Sequence, residues 1–239
     1  MNLSKAMGNC RILSVDYRLA PESKFPTQLY DSMTALHYLL ELGIPAENIF
    51  VAGDSAGGNL SLATLLYCRD EVRAGRMPSN IGGGVLLSPW CDLTASLKSM
   101  ETNVVSFSFL PSPFNLPTFS YDEEDNGWHA DLVSLQPTDY LPLGDKKNTT
   151  MNPPHLYLGA KEHDTLVVHP YASACAADLS SLPPLLFQSG GGEVLRDEIV
   201  LTAQRAAAAG VEVQLDIYMA SFHVFQGEFD HCSDIRERF

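Results

Sequence analysis

Gly53-Asp54-Ser55-Ala56-Gly57 sets a hydroxyl between two glycines in the pattern G-x-S-x-G. A serine of ordinary acidity is a weak nucleophile until a base takes its proton, so the pattern calls for an imidazole and a carboxylate elsewhere in the chain. It does this chemistry when it follows a buried strand and opens a helix. The glycines then permit a sharp turn that lifts the hydroxyl clear, and the next amide, here that of Ala56, is aimed at a developing oxyanion. The flanking residues meet the condition. Ile49-Phe50-Val51-Ala52 is a compact apolar run ended by Gly53, and Leu60, Ala63, Leu66 and Tyr67 form a helical stripe within Asn59 to Arg73. A serine that only caps a helix would use the same turn, but the strand-to-helix context favours the nucleophile.

On such a scaffold the chain order is serine, acid, histidine. Of the seven histidines, His37 falls inside a helical stripe, and His129, His155, His163 and His169 precede the apolar run Leu185-Leu186-Phe187-Gln188, after which the acid is due. His223 and His231 remain. His223 follows the run Val211 to Tyr218 on a loop, whereas His231 stands beside Asp230 in a polar tail and reads as solvated. For the acid, the loop Gly190-Gly191-Gly192-Glu193-Val194-Leu195-Arg196-Asp197-Glu198 offers Glu193 nearest the strand end. Asp197 and Glu198 lie where the next helix begins, and negative side chains in a first turn are usually explained by the helix dipole. Glu193 is preferred, with Asp197 as the alternative.

The elements that must position these residues alternate. Ile12 to Tyr17 reads as a first strand, Leu29 to Leu40 as a helix stopped at Gly43, Ile49 to Ala52 as a second strand and Gly84 to Ser88 as a third. Leu185 to Gln188 and Val211 to Tyr218 make the fourth and fifth, with the Ala-rich helix Glu198 to Ala209 between them. Strands alternating with helices predict an α/β fold with a mostly parallel sheet, and 239 residues suffice for a single domain, 1–239. Residues 92–180 break the alternation, with an acidic cluster at Asp122, Glu123, Glu124 and Asp125, and are expected to form a cap-like or lid-like insertion over the strand ends.

The 29 acidic against 15 basic residues give a net charge of -14, which disfavours nucleic acid and anionic membrane surfaces as partners. The five cysteines, Cys10, Cys68, Cys91, Cys175 and Cys232, are scattered without metal-site spacing and fit a reducing, cytoplasmic compartment. No apolar run is long enough to span a bilayer or to serve as a signal peptide. Three glycosylation triplets, at Asn2, Asn59 and Asn148, carry little weight because the pattern is common by chance.

Several segments taken together resemble the hormone-sensitive lipase family of α/β-hydrolase esterases. They are Tyr17-Arg18-Leu19-Ala20-Pro21-Glu22, Gly53-Asp54-Ser55-Ala56-Gly57-Gly58-Asn59-Leu60, Ser88-Pro89-Trp90, Leu182-Pro183-Pro184, Glu193-Val194-Leu195-Arg196-Asp197-Glu198 and His223-Val224-Phe225. The resemblance runs from about Arg11 to Gln226. It implies Ser55 as nucleophile, His223 as base and the Glu193 position as acid, and a small-molecule carboxylic ester of short or medium acyl chain as substrate. It also implies a brace near the site from Arg18 and Glu22, and no metal or organic cofactor, because the triad supplies nucleophile and base. The family also carries His-Gly-Gly-Gly after an earlier strand, whose amides supply most of the oxyanion hole. This sequence has no such motif; Gly82-Gly83-Gly84 and Gly190-Gly191-Gly192 follow Ile81 and Ser189 instead. The resemblance therefore implies that the first strands are missing, that a gap is left inside the sheet, and that turnover is impaired. The alternative expectation is a noncatalytic ligand-binding or inactive fragment of the same fold.

Overall fold

The computed structural model describes residues 8–103, 119–122, 127–130, 139, 141, 152–219, 221–227 and 237–238. Helix α1 (Thr27–Glu41) buries Leu29, Met33 and Leu36, spaced four and three apart on one face. It stops at Gly43, whose positive φ of 78° lets the amides of Gly43 and Ile44 fold back onto Leu40 and Leu39 carbonyls. Strand β1 (Phe50–Asp54) runs directly into α2 (Ser55–Arg73), which is followed by β2 (Gly83–Leu87) and the short helix α3 (Ser99–Thr102). A separate hairpin pairs β3 (Phe119–Asp122) with β4 (Gly127–Ala130). Next come α4 (Pro153–Leu158), α5 (His163–Leu166), β5 (Leu185–Gly190), α6 (Arg196–Ala208), β6 (Val213–Tyr218) and β7 (Glu237–Arg238).

The main sheet has the order β1-β2-β5-β6-β7, parallel from β1 to β6, with β7 antiparallel at the far edge. Its register sets Asp54 beside Leu87, Leu87 beside Gln188 and Gln188 beside Asp216, so the strand ends that lead into the candidate residues lie on one edge. Leu62, Leu65 and Leu66 of α2 meet Leu86, Phe187 and Ile199 in the core, all without solvent exposure. That burial makes α2 a rigid base for the residue at its start. Among the described residues no helix is long and apolar enough to cross a membrane.

Three expectations need correction. The run Ile12 to Tyr17 is not a strand; Ile12 and Leu13 are 58% and 47% exposed. An apolar run becomes a strand only where a neighbouring strand offers a ladder, and here none does among the described residues. Consequently, among the described residues, the sheet has no internal gap: β1 is its edge, with Phe50, Ala52 and Asp54 exposed. Second, α2 begins at Ser55 rather than Asn59. Third, Glu198 is not a surface residue answering the helix dipole. It is fully buried, and its Oε1 accepts the amides of Cys91 and Asp92 at 2.7 and 3.1 Å. The segment before α1 is tied down by Arg18, whose amide and guanidinium both bond Asp31 of α1.

Candidate active site

Ser55, the first residue of α2 and directly after β1, has φ of 50°, a left-handed conformation that side-chain-bearing residues adopt only when their surroundings hold them there. The glycines around it are not equivalent. A Cβ on Gly53 would lie 2.3 Å from the Gly57 carbonyl oxygen and 2.8 Å from Ser61 Oγ, and one on Gly58 would lie 2.7 Å from Pro89 Cβ. A Cβ on Gly57 meets nothing nearer than the Tyr17 hydroxyl at 3.8 Å. The tightness of the turn therefore rests on Gly53 and Gly58. The Ser55 carbonyl accepts the Trp90 amide at 3.0 Å, which fastens the elbow to the loop after β2. Ala56 is exposed in the first turn of α2, where a backbone N–H has no partner within its own helix.

His223 lies on the loop after β6, only 2% exposed. Its Nε2 is 2.8 Å from Ser55 Oγ and its Nδ1 is 3.1 Å from Glu193 Oε2. Glu193, fully buried after β5, has its other oxygen, Oε1, accepting the Ser189 hydroxyl at 2.6 Å and the Gly190 amide at 3.2 Å. The acid and histidine loops meet backbone to backbone, since a Cβ on Gly190 would fall 2.4 Å from the Ser221 carbonyl oxygen. Beyond the histidine, Val224 has φ of 53°, strained for a β-branched residue, and its amide donates to Ser88 Oγ at 3.1 Å. The sequence gives no role to Ser88, named there only within Ser88-Pro89-Trp90, or to Ser189; serines at strand ends carry no periodic signal.

Of the two acids expected after β5, the structure brings Glu193 to His223 and sends Asp197 elsewhere. Asp197 accepts the Ser99 amide at 2.9 Å and the Arg196 guanidinium at 2.9 Å, anchoring α3. His37 is exposed on α1, and His155 and His163 stack on each other with ring centroids 3.8 Å apart. His231 lies outside the described residues. Asn59 is buried and donates to the carbonyls of Trp90 and Ala172.

A cavity of about 260 Å³ opens beside Ala56, lined by Tyr17, Leu60, Trp90, Leu156 and Tyr157 among others. Burial pushes the Tyr157 hydroxyl well up, with Tyr17 adding to it, and burial together with the Asp54 charge raises that of Tyr17. Both phenols stay neutral at ordinary pH, so this wall is uncharged.

The sequence profile of the α/β hydrolase fold family matches residues 2–115 and 133–227. An acetyl-hydrolase of Streptomyces hygroscopicus is 31% identical over 94% of this chain and 61% of its own length. Carboxylesterase NlhH of Mycobacterium tuberculosis is 31% identical over 85% of this chain and 53% of its own. The crystal structure of an esterase from the bacterial hormone-sensitive lipase family superposes with a TM-score of 0.64 at 32% identity, covering 91% of this chain and 59% of that one. The chain thus spans between half and two thirds of the length of these relatives. With elbow, parallel sheet and profile in agreement, this chain belongs to the α/β-hydrolase fold family.

Proposed function

We propose that the chain hydrolyses carboxylic esters of short or medium acyl chain through an acyl-serine intermediate. The observation that carries this reading is the unbroken line from Ser55 Oγ to His223 Nε2 at 2.8 Å and from Nδ1 to Glu193 at 3.1 Å. Ser55 Oγ attacks the ester carbonyl while Nε2 takes its proton, and Glu193 holds the imidazolium in place. The Ala56 amide donates to the oxyanion. As the tetrahedral intermediate collapses, the imidazolium protonates the leaving alcohol, and water, deprotonated by the same nitrogen, then releases the acid.

One feature bears on the substrate. The cavity of about 260 Å³ is smaller than the roughly 300–1,000 Å³ usual for drug-sized ligands, which favours a short acyl group. Residues 92–180 are proposed as the cap that closes the substrate side. Hydrolysis of p-nitrophenyl acetate and butyrate by the wild-type chain and Ser55→Ala tests the assignment. The proposal expects release of nitrophenol above background only with Ser55 present; equal rates in both proteins, or binding of the esters without release, would reject it.

A further inference from the structure

A buried carboxylate far from the triad in sequence holds both of its partner loops. Asp139 is fully buried; its Oδ1 accepts the His223 amide at 3.2 Å and its Oδ2 accepts the Val194 amide, next to Glu193, at 2.7 Å. Its own amide donates to the Asn103 carbonyl at 3.4 Å, and Asn103 Nδ2 in turn donates to the Glu193 carbonyl at 2.8 Å. One side chain thus binds the backbone of the base and the backbone just past the acid. We propose that Asp139 is a positioning residue for the triad, setting the separation of the His223 and Glu193 backbones so that Nδ1 and the carboxylate meet. The inference rests on the triad reading above and adds to it a role for a residue of segment 92–180.

Glu193 and His223 reach each other through several rotatable bonds, so their contact holds only if their backbones are fixed. The glycine bonds between the loops, Gly191 N–H to Tyr218 and Gly192 N–H to Ser221, lie before the reacting residues; Asp139 acts at His223 itself and one residue past Glu193. A carboxylate accepts from two N–H groups at once with no donor of its own. An amide in its place presents a donor to one of them, and a methyl group leaves both buried amides without an acceptor.

Asp139→Asn and Asp139→Ala in the full chain test the inference. Expected is a fall in kcat of roughly 10- to 100-fold, the scale of a misplacement of about 1 Å, with KM within twofold because the cavity is not touched. The number of Ser55 sites titrated by a phosphonate reagent should stay equal to wild type. A readout independent of turnover is the low-field Nδ1 proton of His223 in ¹H NMR, assigned by its loss in His223→Ala; it should broaden or move upfield in both Asp139 variants. If Asp139→Ala does not fold, the isosteric Asp139→Asn decides. An unmoved resonance with kcat within twofold of wild type would overturn the inference, as would a fall in kcat matched by a fall in titratable sites. Absence of the resonance in wild type would overturn the triad reading itself, and this inference with it.

Discussion

Glu193→Gln removes one charge from the buried chain of contacts and changes almost no volume. The carboxylate now takes three bonds, from His223 Nδ1, the Ser189 hydroxyl and the Gly190 amide. A glutamine can keep its oxygen on Ser189 and Gly190 and turn its NH₂ toward Nδ1. The imidazole must then carry its proton on Nε2, facing Ser55, where it cannot act as a base. The opposite orientation saves the useful tautomer but leaves the buried Gly190 amide without an acceptor, at about 1–3 kcal/mol. The productive form is thereby held to roughly one part in 5 to one part in 150. A neutral acceptor also supports the imidazolium about half as well as a carboxylate, which adds on the order of another tenfold. Together these give about 10²- to 10³-fold, and the analogous Asp→Asn change in a Ser-His-Asp triad costs about 10⁴-fold. The expectation is therefore a loss of roughly 10²- to 10⁴-fold in kcat on p-nitrophenyl acetate, with a thermal transition close to that of wild type. A kcat within threefold of wild type in a folded variant would refute the role given to Glu193.

Gly53→Ala and Gly58→Ala should unfold or inactivate the chain because backbone or proline atoms occupy the space a methyl needs, while Gly57→Ala should keep its melting temperature; thermal melts of the three rank them. Burial raises the Glu198 carboxyl well above its ordinary value, with the Asp92 and Glu193 charges adding and the Cys91 and Asp92 amides opposing. The folded state then holds a proton that the unfolded state has lost, so stability falls as pH rises from the ordinary carboxylate range through the folded value. Glu198→Gln keeps an oxygen for the two amides and should gain on wild type in melting temperature as pH rises; parallel curves would contradict this. Burial, with Glu71 adding to it, pushes the Cys68 thiol up to about 12, so iodoacetamide at pH 8 should leave it unmodified in the native chain and modify it in urea.

The parts legible in the sequence were those with a local signal. Gly53 and Ser55 stood between an apolar run and a helical stripe, and β2, β5 and β6 were short runs closed by turn residues; each requires only its neighbours to be recognised. Glu193 could be preferred over Asp197 because distance from a strand end translates into position on the active edge. What could not be read depended on partners distant along the chain. Ile12 to Tyr17 had the composition of a strand but, among the described residues, no strand to pair with, and composition does not show that. Glu198 bonds amides more than a hundred residues away, and Asp139 reaches His223 across 84. Polar residues that serve buried amides follow no periodicity, so only the assembled core shows them.

Whether Ser55 is a nucleophile made reactive by His223 is tested, without requiring turnover, by intact-mass spectrometry after incubation with a fluorophosphonate, followed by peptide mapping. One adduct per chain is expected, on Ser55, absent in Ser55→Ala and formed far more slowly in His223→Ala. An unlabelled wild-type chain, or labelling of Ser55 at the same rate without the histidine, would rule that role out.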